Sequence, residues 1–204
     1  MLTLIAGLVL FLGAHSVRIV AEDWRTATVA RVGEKTWKSV YSLVSLAGFV
    51  LIVIGFGLAR YAPVVLWPQP PVWLRHVAAL LVLVAFVLLA AAYVPGNAIK
   101  ARLRHPMVLG VKVWAFAHLI VNNTLADTVL FGAFLAWAVL DFRAARRRDR
   151  SAAAGAGERP SPPPSPRGGE GVKTAITVAA GVVAWAVFAF WAHKLLIGVS
   201  PLGT

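Results

Sequence analysis

Two histidines lie inside apolar segments of this chain, His15 within Leu2–Ala21 and His118 within Met107–Val121. An ionisable side chain at membrane depth costs roughly 2.5 kcal/mol or more unless it faces a partner or a cavity. Imidazole is also the common nitrogen ligand of metals and of haem iron. Two imidazoles from different helices of a bundle can bind a single iron axially. His15 and Arg18 are three residues apart and share a helix face. Arg18 is expected either to hold a carboxylate such as a haem propionate or to pair with Asp141 at a similar depth. In the second segment, Pro106 suits a first helical turn and places His105 at the cytoplasmic interface. Lys112 follows His105 by seven residues on the same face, where it is expected to snorkel or to meet an anionic group. Trp114, His118 and Asn122 recur every four residues and predict one shared face. Asn122 or Asp127 is a candidate to hold the second nitrogen of a ligand histidine. His76 and His193 sit beside Arg75 and Lys194 at interfacial positions, which accounts for them without chemistry.

A porphyrin fills an apolar slot while its propionates seek Arg or Lys near the head groups. His15, His118, Arg18 and Lys112 supply those groups. At about 1.5 Å per residue, His15 lies roughly 10 Å and His118 roughly 20 Å from the cytoplasmic ends of their helices. A tilted haem or a shorter fourth crossing reconciles the two depths. Otherwise the pair is His15 with His105, or His118 with His193. The chain has no cysteine, which removes thiolate metal sites, iron–sulfur clusters and covalently attached haem. It has no Ser/His/Asp array, phosphate loop or zinc H-E-x-x-H, and its few carboxylates fall mostly in loops, which argues against acid/base hydrolysis.

The elements that position these residues are membrane helices. With 59% hydrophobic and 14% charged residues over 204 positions, the chain predicts an all-α, polytopic transmembrane bundle. About 20 apolar residues cross a bilayer, and six spans are predicted: Leu2–Ala21, Ser39–Ala59, Leu74–Val94, His105–Asn122, Leu125–Phe142 and Lys173–Ile197. The first lacks the basic lead-in and small-residue cleavage site of a signal peptide and is read as a mature helix. The net charge of +12 would suit nucleic acid, but its placement does not. The connections Glu22–Lys38, Pro95–Arg104 and Arg143–Lys173 carry 15 of the 20 Lys and Arg. That is the positive-inside asymmetry, which turns these connections to the cytoplasm, in contact with lipid head groups, and both termini outward. Residues 1–145 are read as a five-helix core. Residues 146–172, rich in Arg, Ala, Gly, Ser and Pro, are read as a disordered linker. Residues 173–204 supply the last helix of the same domain. Thr124 and Asp127 form a T-x-x-D box expected to cap the fifth span.

The segments Leu12-Gly13-Ala14-His15-Ser16 and Arg104-His105-Pro106-Met107 … Gly110 … Trp114-Ala115-Phe116-Ala117-His118-Leu119 … Asn122 … Leu130-Phe131-Gly132 … Trp137 … Asp141 resemble the NnrU family. The likeness covers most of the chain to about Arg143 and the last helix. The family takes its name from a link to nitrite and nitric oxide reduction in denitrifying bacteria, and it is similar to the plastid 15-cis-zeta-carotene isomerase, which holds haem b by two histidines. The resemblance implies a protein of the bacterial inner membrane that binds haem b. His15 and His118 match the ligands, and His105 matches a further histidine of the motif. The implied role is in nitrogen-oxide metabolism or in a haem-dependent isomerase-type step on an apolar substrate. An alternative is a non-catalytic accessory factor for a nitric oxide reductase complex. Arg104-His105-Pro106 with Gly110 also resembles the R-H-P-x-x-x-G stretch of isoprenylcysteine-type methyltransferases, which use S-adenosylmethionine. The glutamate pair of those enzymes has no counterpart, since only Glu158 and Glu170 follow, both in the linker.

Overall fold

The computed structural model describes residues 1–155 and 169–202, and the described residues form helices and no strand. In chain order the helices are α1 (Leu2–Val20), α2 (Glu22–Val32), α3 (Glu34–Ala59), α4 (Trp73–Tyr93), α5 (Ala98–Leu103), α6 (Pro106–Leu119), α7 (Leu125–Gly155), α8 (Glu170–Val187) and α9 (His193–Ile197). A π-helical turn, Phe188–Ala192, joins the last two. Five stretches are long and apolar enough to cross a membrane: Leu2–Val20, Glu34–Ala59, Val72–Tyr93, Leu125–Gly155 and Glu170–Ile197. The sixth expected span is the 14-residue α6. The chain folds as two compact units, 1–69 with 122–141, and 70–121 with 142–204.

In the first unit α1 lies against α3. A methyl added to Gly48 would fall 2.7 Å from the Phe11 amide nitrogen, one added to Gly7 would fall 2.6 Å from that of Ile52, and one added to Gly55 would strike Leu4. Small residues let membrane helices approach to backbone contact, and here they set His15 over the start of α3. The connection after α3 is tied to the start of α7. Val65 and Thr124 form an isolated antiparallel bridge, with Leu66 N to Asn123 O at 2.9 Å and Leu125 N to Val64 O at 2.8 Å. Asn123 Nδ2 also donates to Trp67 O at 2.9 Å. Thr124 caps α7 as its spacing predicts, accepting from the Asp127 amide at 3.3 Å while its hydroxyl donates to the Asp127 carboxylate.

In the second unit α4 packs on α6 and α8. Asn97, 1% exposed, closes the turn after α4. Its Nδ2 donates to Ala91 O at 3.0 Å, and its Oδ1 accepts from Lys100 N at 2.8 Å. Thr174 Oγ1 accepts from Ala98 N at 2.9 Å, tying α8 to the same turn.

The helices depart from expectation at their polar ends. The connection Glu22–Lys38 contains helix α2 and the first turn of α3, because Glu22, Asp23 and Arg31 match the helix dipole at each end. Helix α7 runs to Gly155, into the segment assigned to the linker, because Arg and Ala are strong helix formers. Helix α8 begins at Glu170, also inside that segment. Linker residues 156–168 lie outside the described residues. Helix α6 ends at Leu119, so Asn122 falls in the connection and not on the helical face with Trp114 and His118.

Candidate functional site

His15 lies on α1, in the first unit. Its Nδ1 is 2.7 Å from the Phe11 carbonyl oxygen, four residues back. A carbonyl oxygen only accepts, so Nδ1 carries the proton and the lone pair of the neutral ring is on Nε2. Aromatic rings surround the imidazole. Phe11 stacks on it at 4.3 Å, Tyr41 of α3 lies at 5.2 Å, and Trp137 of α7 meets it edge-on at 6.0 Å. Trp137 Nε1 is buried in this unit with no hydrogen-bond partner among the described residues. Such a donor is costly in an apolar surround. At the C-terminal end of α1, Arg18 Nε lies 3.7 Å from Glu22 Oε2, and Arg25 donates to Glu22 Oε1 at 3.2 Å.

His118 repeats the arrangement in the second unit. Its Nδ1 is 2.8 Å from the Trp114 carbonyl oxygen, and the Trp114 ring lies 5.1 Å away. The proton is again on Nδ1 and the lone pair on Nε2.

His105 is built differently. It is the N-cap of α6, and its Nε2 donates to Asp149 Oδ2 at 3.0 Å. Asp149 lies on α7 beyond the apolar stretch that ends at Phe142, within a run of arginines. Arg104 adds a 3.7 Å ion pair to the same carboxylate. Burial pushes the Asp149 carboxyl up, but the bond to His105 and the charges of His105, Arg104 and Arg146 outweigh it. The group is held below the usual carboxylate range. Arg104 has φ of +64°, in the left-handed region that non-glycine residues avoid. Such strain persists only where surrounding contacts impose it, and the pull of Asp149 on two adjacent side chains is such a contact. Phe142 joins His105 to Lys112: the His105 ring meets it edge-on at 6.2 Å, and Lys112 Nζ stands 5.1 Å over its face.

The predicted residues thus fall into groups. His15 and Arg18 belong to the first unit, while His105, Lys112 and His118 belong to the second. His193 Nδ1 is 2.6 Å from Val199 O, a local bond at the end of the last helix. Asp149, Tyr41 and Trp137 were not among the predicted site residues. The signal for Asp149 was its position as the one carboxylate between Arg143 and Arg150. Among the described residues, no three His, Asp or Glu side chains form a cluster able to hold a metal ion.

A family model described as NnrU protein matches residues 3–201. The chain belongs to the NnrU family. No curated protein and no solved structure matches it. In this NnrU chain the R-H-P-x-x-x-G stretch has a packing explanation. His105 and Arg104 hold Asp149, and a methyl on Gly110 would come within 3.1 Å of the Ala85 carbonyl oxygen of α4. Of the two glutamates weighed for a methyltransferase, Glu170 opens α8, and Glu158 lies outside the described residues.

Proposed function

We propose that this NnrU-family membrane protein binds haem b, for which His15 and His118 would be the protein's ligands. The observation that carries the reading is the shared state of the two rings. Each donates Nδ1–H to the carbonyl four residues back, which fixes the tautomer and places the ring's lone pair on Nε2. A backbone carbonyl on the far nitrogen is the usual way a protein orients a histidine ligand and raises its basicity. The donor set fits a haem in two further respects. Phe11, Tyr41 and Trp137 give His15 an aromatic surround, and the buried Trp137 Nε1 is a donor with no acceptor among the described residues.

When bound, the haem supplies an iron centre for one-electron or ligand-binding chemistry. The chain's own residues would orient it. Arg18 and Lys112 are the cations offered to propionates. His105, held through Nε2 by Asp149, is assigned to the support of α6. A role in nitrogen-oxide metabolism, or an isomerase-type step on an apolar substrate, is carried by the family resemblance, and so is the setting in a bacterial inner membrane.

The test is a reduced-minus-oxidised spectrum of the purified protein beside His15→Ala and His118→Ala. Wild type is expected to show a bis-imidazole Soret band that each substitution weakens or shifts. No band, or a band indifferent to both changes, overturns the proposal. A colourless wild type that co-purifies with a nitric oxide reductase would favour an accessory role.

A further inference from the structure

Helix α7 does not stop where its apolar stretch ends. From Arg143 to Arg150 it continues as a regular helix with two distinct faces. Ala144 and Ala145 are buried, and Arg148 and Asp149 are half-buried. Arg143, Arg146, Arg147 and Arg150 are exposed. Their spacing is i, i+3, i+4, i+7, so all four guanidinium groups occupy one arc of about 100°. The only carboxylate of this segment is turned to the other face, where His105 and Arg104 hold it. That pairing fixes the rotation of the extension and leaves the exposed face purely cationic.

We infer that this arginine stripe is a binding site for the phosphates of anionic phospholipids on the cytoplasmic surface. Depth selects this occupant. The head-group layer is about 5–8 Å thick on each side of the hydrocarbon. Arg143 is the first residue past the apolar stretch, and Arg147 lies about 6 Å further along the axis, inside that layer. Arg150 is one turn beyond, and its long side chain reaches back. Guanidinium binds phosphate oxygens in bidentate fashion, so a row of four matches a row of head groups better than it matches free counter-ions.

The full-length protein is reconstituted in phosphatidylcholine bilayers containing a minor fraction of phosphatidylglycerol. Spin-labelled versions of the two lipids report their relative association. Wild type is expected to prefer phosphatidylglycerol, and the preference should fall as salt rises. Arg147→Gln alone should lower it roughly fivefold, on the usual scale for one basic residue at an anionic surface. Arg143→Gln with Arg147→Gln and Arg150→Gln should bring the two lipids to parity. Arg31→Gln with Lys35→Gln and Lys38→Gln removes as much charge elsewhere and should retain the preference. Should the stripe variant fail to insert, the same three positions changed to Lys keep the charge. They should then give a weaker but still salt-sensitive preference. Equal binding of both lipids by wild type overturns the inference and leaves the stripe to an acidic protein segment. Equal losses in the stripe and control variants, or a preference that ignores salt, also overturn it.

Discussion

At the scale of single residues, the imidazoles divide by the nitrogen they commit. His15 and His118 commit Nδ1 to a carbonyl of their own helix, whereas His105 commits Nε2 to a carboxylate from another. The first arrangement orients a ring within its own helix, and the second joins two elements. The His105–Asp149 pair is partly exposed, at 25% and 26% of its side chains, so its coupling should be modest. A double-mutant cycle with His105→Gln and Asp149→Asn is expected to give less than about 1 kcal/mol. Its pH dependence has a definite sign. A carboxyl held below its unfolded value stabilises the fold above the ordinary carboxylate range and loses that contribution as pH falls through the lowered value. Thermal scans below about pH 4 should therefore show a smaller acid-induced fall in Asp149→Asn than in wild type. An identical fall in both would remove the pair from the acid response. His15 and His118 could be singled out as candidates from the sequence because an ionisable residue in an apolar run stands out. Asp149 could not, because a carboxylate among arginines reads as part of a solvated charge run. The left-handed Arg104 left no trace in residue type.

At the scale of elements, the glycines of α1 and α3 set the crossing that carries His15. Adding one methyl at Gly48 forces a shift against the Phe11 backbone, while Gly57 on the same helix has nothing within 4 Å of an added methyl. Gly48→Ala is expected to destabilise the protein by about 1–3 kcal/mol. Gly57→Ala should be neutral or slightly stabilising through helix propensity. Midpoints of unfolding in mild detergent compare the two, and equal midpoints would mean that the crossing is not tight. The apolar length and placement of the long spans were readable from hydropathy alone. Helix α2 and the extension of α7 were not, since both are polar helices that hydropathy assigns to loops. Their evidence was charge order and helix propensity, which a search for membrane spans passes over.

At the scale of the whole molecule, the crossing count decides which residues share a side. The bridge between Val65 and Thr124 ties the chain just after α3 to the chain just before α7. Residues 70–121 therefore leave one side of the membrane and return to it, which takes an even number of crossings. Helix α4 is one; with the segment of α6 as the second, six crossings are expected, and the basic connections would then all face inward. The chain has no cysteine, so single reporters are read without background. Leu2→Cys, Tyr61→Cys and Val199→Cys should label from outside, and Thr26→Cys only after permeabilisation. Inward labelling of Val199→Cys would mean five crossings. If the labelling gives six crossings, α6 carries a mechanical consequence. Its 14 residues extend only about 21 Å, against a hydrocarbon layer of about 30 Å. Hydrophobic mismatch of that size draws the bilayer surfaces together around the helix. His118, next to the last residue of α6, then sits close to a dimpled surface, where small polar molecules can approach it without crossing a full thickness of lipid.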